Sequence, residues 1–344
     1  MAETNHMNAT DSLAGSFKND FLIGAAVNSH TIVSQRELLV RHYNSLTAEN
    51  EMKFESVHPA EHTYTFEEAD RIAQFASEHG MKLRGHTLVW HNQTPDWVFD
   101  DGNGGLAARE TLLARMKAHI ETVVQRYRDT IYCWDVVNEA VTDDGEEWLR
   151  PSRWLEGIGD DYMAQAFRFA HKADPAALLF YNDYNECNPG KREKIYRLVK
   201  SLLEQGVPVH GIGLQAHWNL TDPSLADIRA AIERYASLGL KLQITEMDVS
   251  VFAFDDRRTD LAVPTTEMLR QQELRYRQFF ELFREYRDVL TGVTFWGAAD
   301  DYTWLDYFPV RGRKNWPLLF DTEQRAKGAY YEVVNLSASR AAEQ

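Results

Sequence analysis

Glu139 and Glu246 each stand near the end of a run rich in aromatic and β-branched residues: Tyr132 to Glu139 (Tyr-Cys-Trp-Asp-Val-Val-Asn-Glu) and Lys241 to Asp248 (Lys-Leu-Gln-Ile-Thr-Glu-Met-Asp). Such runs read as buried strands with chemistry at the C-terminal tip. If both tips lie at the same end of one sheet, the two glutamates face each other across a cleft. That pair suits glycoside hydrolysis, in which one acid protonates the leaving oxygen and the other carboxylate attacks the sugar or activates water. Two carboxylates about 5 Å apart do not easily both ionise, so one keeps its proton near neutral pH while the better hydrogen-bonded one stays charged. A buried ion pair on strand ends is the plainer reading of the same two residues, and their spacing alone does not choose.

The elements that must position the pair show as periodicity. A β-rich or continuously apolar run is followed by a helix-period segment eight times. Phe21 to Val27 leads to Val33 to Tyr43, and Ser45 to Asn50 to Phe66 to His79, closed by Gly80. Lys82 to Trp90 precedes a helix from Ala108 to Asp129, with Leu112, Leu113, Met116, Ile120, Val123 and Val124 on one face. Tyr132 to Glu139 precedes Asp161 to Ala173, and Leu178 to Tyr184 precedes Lys191 to Gln205, with Gly190 before that helix and Gly206 as its stop. Gly211 to His217 precedes Leu225 to Leu238, stopped by Gly239. Lys241 to Asp248 precedes Glu267 to Tyr286, and Gly292 to Asp300 precedes Ala326 to Ser339.

Eight βα units predict a (β/α)8 TIM barrel. The expected organisation is one domain over 1–344, with the barrel proper at about 17–337 between short polar tails. A doubly wound sheet makes a similar pattern, and the run tips weigh against it. Glu49, Asn50, His86, Trp90, Asn138, Glu139, Asp183, Tyr184, Gln215, His217, Glu246, Asp248 and Trp296 all fall there. In a barrel these ends converge on one face. The loops after the third, fourth, seventh and eighth runs are the longest, and the last holds Tyr302, Trp304, Tyr307, Phe308 and Trp316. They are placed to wall a cleft for an extended substrate.

A net charge of -15 argues against nucleic acid as a partner, because phosphate-backbone binding needs clustered Lys and Arg. No apolar run reaches membrane-span length, so no membrane association is expected. Met1 to Asn19 is polar, without a basic start or a signal-like apolar core, and a cytoplasmic location is the expectation. Two cysteines, Cys133 and Cys187, fit a reducing compartment and read as buried thiols. The sequence carries no phosphate loop, nucleophile elbow, His-Glu-x-x-His or Cys-x-x-Cys. Neither a cofactor nor a catalytic metal is expected. Oligomeric state is not legible.

Five ordered motifs then carry a resemblance. Thr47 to Lys53 (Thr-Ala-Glu-Asn-Glu-Met-Lys), Gly85 to His91 (Gly-His-Thr-Leu-Val-Trp-His), Trp134 to Ala140, Tyr181 to Asn185 and Ile244 to Asp248, with Phe-Trp-Gly at Phe295 to Gly297, closely resemble glycoside hydrolase family 10. That family comprises endo-β-1,4-xylanases, here of the intracellular type, and the likeness runs from Phe17 to Asn335. It implies that Glu139 is the general acid/base and Glu246 the nucleophile of a retaining double displacement. Asn138 would then bond the sugar 2-hydroxyl, and His217, held by Asp248, would orient Glu246. Glu49, Asn50, Lys53, His86, Trp90 and Gln93 would contact the glycone side. Tyr184, Asn185 and Gln215 would line the centre and the leaving side, with Trp296 and Trp304 as floor and roof.

Each residue has a simpler role available: Glu49 and Lys53 as a helix-spaced ion pair, Trp90 and Trp296 as core, Trp304 as a loop anchor, Asp248 as a loop cap. Asn92, where Ser is more usual, and Ala298, Ala299 and Asp300 depart from the family pattern and bear on preferred substrate length. The implied substrate is xylan or a xylo-oligosaccharide, and in the cytoplasm a short imported one. Other retaining β-1,4-glycanases, cutting glucan or mannan, share the barrel architecture. A catalytically silent carbohydrate-binding barrel would need the aromatic platforms but not the paired acids. A metal-dependent barrel hydrolase is the remaining alternative.

Overall fold

Strands that are apolar on both faces need cover on both sides, and a parallel barrel sheathed by helices provides it. In the computed structural model, which describes residues 12–341, the strands are β1 (Leu22–Val27), β2 (Ser45–Ala48), β3 (Lys82–Trp90), β4 (Ile131–Asn138), β5 (Leu178–Asp183), β6 (Gly211–Leu214), β7 (His217–Asn219), β8 (Lys241–Ser250) and β9 (Leu290–Phe295). Each pairs in parallel with its neighbours, from β1 through β6, then β6 with β8, β8 with β9 and β9 with β1. The β6–β8 pairing closes the ring. Short β7 continues the course of β6 and pairs with β8 further along, His217 opposite Asp248. The result is eight staves, the (β/α)8 TIM barrel that the periodicity predicts.

Helix ends follow local chemistry. Asn188 accepts from the backbone N–H groups of Gly190 and Lys191, with Pro189 at the first position of the helix Pro189–Glu204. That cap starts the helix ahead of Lys191, so Gly190 lies inside its first turn rather than before it. Gly80, Gly206 and Gly239 take positive φ just past their helices, as stop signals require. Leu112, Met116, Ile120, Val123 and Val124 of the helix Arg109–Arg126 are buried against the barrel, and Leu113 is partly so.

Three departures from the sequence reading matter. The sixth run is not one strand: Ala216 takes φ 61°, which ends β6 and lets His217 restart as β7. The eighth begins earlier and stops at Phe295, because Gly297 at φ 137° turns the chain into its loop. The second stops at Ala48, leaving Glu49 and Asn50 in a turn. Packing also starts before residue 17, since Leu13 is buried and Phe17 stacks on Phe21. Residues 1–11 and 342–344, which hold most of the expected tails, lie outside the described residues.

Several strand glycines, Gly85 and Gly213 among them, mark where neighbouring staves leave no room for a side chain. Gly85 is registered against Trp134, and a Cβ there would lie 2.0 Å from that fully buried indole. Gly213 is registered against Asn182, with 2.2 Å to its Oδ1. Gly85→Ala is therefore expected to destabilise by about 1–3 kcal/mol, the usual cost of overpacking a tight core. Urea unfolding checks this: the midpoint should fall with little change in slope, and an unchanged midpoint would contradict the close approach.

Candidate active site

The C-terminal tips of the staves bring the two glutamates into one hydrogen-bonded group. Glu246 lies within β8, with its N–H donating to the Gln215 carbonyl. Glu139 stands one residue beyond β4 in the left-handed region, at φ 57°. That conformation costs a non-glycine residue on the order of 1 kcal/mol and persists only where surroundings fix it. Here the Glu139 N–H donates 2.9 Å to the Asn182 carbonyl, Arg150 Nε donates 2.9 Å to the Glu139 carbonyl, and the Ala140 N–H donates 3.0 Å to the Tyr181 hydroxyl.

Three amides link the carboxylates. Asn182 Nδ2 donates 2.9 Å to Glu246 Oε1 and 2.9 Å to Asn138 Oδ1. Gln215 Nε2 donates 3.0 Å to Glu139 Oε1 and 3.3 Å to the same Asn138 oxygen. Trp90 Nε1 donates 2.9 Å to Glu139 Oε2. On the other side of Glu246, His217 Nε2 lies 3.0 Å from Oε2 and its Nδ1 2.9 Å from Asp248 Oδ2, which also accepts from Trp304 Nε1 at 2.8 Å. His86 Nε2 stands 3.8 Å from Glu246 Oε1, its Nδ1 held 2.9 Å from Asp135.

This setting separates the two charges. Burial pushes the Glu139 carboxyl above the usual range, aided by Asp183 and Glu246 and opposed by the bonds from Gln215 and Trp90. Burial acts on Glu246 in the same sense, but His86 and the hydrogen bond and charge of His217 outweigh it, and its pKa is lowered. Burial would lower His217, yet Asp248 and Glu246 push it up to about 10. The setting biases the Glu139 carboxyl toward its protonated form and Glu246 toward its ionised form beside an imidazolium, an arrangement able to donate a proton and a nucleophile to one bond.

The remaining predicted residues fall into three groups. Lys53 Nζ donates 2.9 Å to Asn50 and 2.9 Å to Gln93, and it sits 5.0 Å from the Trp90 ring centroid. Glu49 accepts from Asn28 at 3.0 Å and lies within the field of Lys53 rather than in a helical pair with it. Tyr184 and Asn185 are on the other side, both hydrogen-bonded to Asp143 at 2.5 and 3.2 Å. Trp296, largely buried, meets His86 and His217 edge to face, and Trp304 is tilted over His217 at 4.8 Å.

Sequence reasoning passed over Asn182, Asp135, Arg84, Asp143 and Arg150. Asn182 is registered directly opposite Asn138, and two amides at neighbouring tips were the available signal. Arg84 and Asp135 interrupt apolar strand runs, and a charge inside such a run signals a buried partner. Asp143 and Arg150 sit in a loop and offered no such signal.

A parallel eight-stave barrel carrying this carboxyl pair at its C-terminal face defines a glycoside hydrolase. The comparisons with known proteins fix the family: the Glycosyl hydrolase family 10 profile matches residues 12–336, and the chain belongs to that family. It is similar to an endo-1,4-beta-xylanase of Geobacillus stearothermophilus, 63% identical over 94% of this chain and 98% of that protein. Endo-1,4-beta-xylanase B of Paenibacillus barcinonensis is 60% identical over 94% and 97%. Among solved structures, xylanase XynB from Paenibacillus barcinonensis with a conduramine derivative aligns with a TM-score of 0.93 at 60% identity, covering 94% of this chain and 98% of that one.

The imidazolium has a consequence for stability. Since the folded pKa of His217 is raised to about 10 from 6.5, the stabilisation it supplies is complete below about pH 6.5 and is lost as pH rises through about 10. The stability gap between the native chain and His217→Asn should narrow over that range. Denaturant titrations at several pH values test this; a gap that stays constant through pH 10 would mean the ring is not cationic.

Proposed function

We propose that this chain is an endo-1,4-β-xylanase, hydrolysing internal β-1,4-xylosidic bonds of xylan or xylo-oligosaccharides with retention of configuration. The observation that carries the reading is the opposite electrostatic setting of Glu139 and Glu246 within one amide network. The names of the relatives above, each an endo-1,4-beta-xylanase, support the substrate class.

In the first step Glu246 attacks the anomeric carbon while Glu139 gives its proton to the departing glycosidic oxygen. A glycosyl-enzyme ester forms and the leaving chain departs with a free hydroxyl. The Glu246 charge is consumed, so the pKa of Glu139 falls and the residue, now a carboxylate, takes a proton from water. The resulting hydroxide attacks the same carbon, Glu246 leaves as carboxylate, and both groups return to their starting states. Asn138 holds the sugar 2-hydroxyl, a bond that strengthens as positive charge develops at the ring. His217, backed by Asp248, orients Glu246 and disperses its charge. Glu49, Asn50, Lys53, His86, Trp90 and Gln93 bind the glycone side, Tyr184, Asn185 and Gln215 the centre and leaving side, and Trp296 and Trp304 close the site below and above.

We also propose that the enzyme works in the cytoplasm on short oligosaccharides. Among the described residues no helix is long and apolar enough to cross a membrane, and Cys133 and Cys187 are free and buried. Activity should fractionate with cytosol in the native host. Activity found mainly in the medium of unlysed cultures would refute this.

The roles of the glutamates separate on azide rescue. Glu139→Ala should lose on the order of 100-fold or more on xylo-oligosaccharides, yet form the glycosyl-enzyme from a dinitrophenyl xyloside, and azide should release a β-glycosyl azide. Glu246→Ala should form no ester, and any azide product should be the α anomer. NMR of the products decides. The same anomer from both variants would overturn the assignment, and faster turnover of carboxymethyl-cellulose than of xylan would overturn the substrate class.

A further inference from the structure

Arg150 lies outside the strand tips, in the loop that follows β4, yet one guanidinium reaches two separate parts of the site. Its Nε donates 2.9 Å to the carbonyl of Glu139. Its Nη2 donates 2.8 Å to the Tyr184 hydroxyl and lies 3.3 Å from Asp143 Oδ2. The loop folds back to put it there: Val141 bridges Leu149, and the Arg150 N–H donates 2.8 Å to the Ala140 carbonyl.

The bond to Glu139 has a partner on the same peptide unit. The Ala140 N–H donates to the Tyr181 hydroxyl, which in turn donates to Asp183, a buried carboxylate 2.9 Å from buried Lys191. The Glu139–Ala140 peptide is thus gripped at its carbonyl by Arg150 and at its N–H by Tyr181. This is the unit that follows the left-handed φ of Glu139, so its plane helps set where that carboxyl points. The same guanidinium carries Tyr184, and Asp143 joins Tyr184, Asn185 and Lys191 to it.

We infer that Arg150 is a positioning residue for Glu139: by fixing the Glu139–Ala140 peptide and tying it to Tyr184, it makes the leaving-sugar side of the cleft set the aim of the proton donor. The inference rests on the reading of Glu139 as acid. Losing Arg150 should then harm the transfer of a proton to the leaving oxygen and spare the attack of Glu246. A small displacement of a reacting group is enough for losses on the order of 10- to 100-fold.

The test compares two aryl β-xylobiosides, one with phenol and one with dinitrophenol as leaving group, which fill the leaving side alike but differ in their need for a proton. For Arg150→Lys, kcat/KM on the phenyl substrate should fall on the order of 10- to 100-fold, and on the dinitrophenyl substrate by less than about 3-fold. Tyr181→Phe loosens the other end of the same peptide without touching Tyr184 and should show the same split; it decides the matter if Arg150→Lys does not fold. Equal losses on both substrates, or none on either, would overturn the inference. Glu139→Ala is the control: if it shows no leaving-group dependence, the assignment of the acid has failed, whereas a dependence there without one in the other two variants sinks the positioning role alone.

Discussion

Two carboxylates have to be buried together at the mouth of an apolar barrel, and most of the site answers that constraint. An ionised carboxylate taken out of water without a partner costs several kcal/mol. The protein meets the cost differently at each residue, with a raised proton affinity at Glu139 and a cationic histidine at Glu246. The amides between them have fixed orientations. Asn138 Oδ1 accepts from both Asn182 and Gln215, while Asn182 Oδ1 accepts from Thr245 at 2.7 Å. Their NH2 groups therefore have to face the carboxylates, because turning any one would set oxygen against oxygen.

Beneath this layer further charges are buried in pairs that join separate elements. Arg84 meets Asp135 from β3 to β4, and Lys191, on the helix after β5, meets Asp183 at the tip of β5. Lys327 meets Asp300 at the start of the loop that follows β9. Removing one member of such a pair typically costs about 3–5 kcal/mol because the other is left uncompensated. They also reach the chemistry. Asp135 orients His86 beside Glu246, and the charge of Asp183 is the largest neighbouring influence holding Glu139 in its acid form. The scaffold's ion pairs and the site's protonation states belong to one electrostatic system.

The barrel was legible because its staves are short apolar runs separated by amphipathic segments, a pattern set by burial alone. The gathering of the glutamates, Asn138, His217 and Asp248 at one face was legible because they stand at the ends of such runs. What stayed hidden depends on backbone geometry. Nothing in Gly211 to His217 announces that Ala216 breaks the strand, yet this break brings His217 into register with Asp248. Arg150 and Asp143 are ordinary loop residues until the chain folds back at Val141 and Leu149. Arg84 interrupts an apolar run without naming its partner, and only the closed barrel shows that it lies in the interior with Asp135 and Gln243.

The two glutamates also differ in how firmly the chain holds them, and the difference matches their proposed work. Glu246 is inside β8, four residues before its end, with the residues flanking it paired to β6 and β9 at Ile244, to β9 at Met247 and to β7 at Asp248. A nucleophile has to meet one carbon from one direction in both steps, and a strand interior is the stiffest place to mount it. Glu139 follows the last residue of β4, in a conformation that strand pairing does not enforce. An acid that becomes a base must address first a leaving oxygen and then a water, from which it recovers its proton. A residue just past a strand end, held by one backbone bond to Asn182 and by the side chains of Arg150 and Tyr181, meets that requirement. It also makes the aim of the acid depend on groups such as Arg150 and Tyr181, which the strand pattern does not specify.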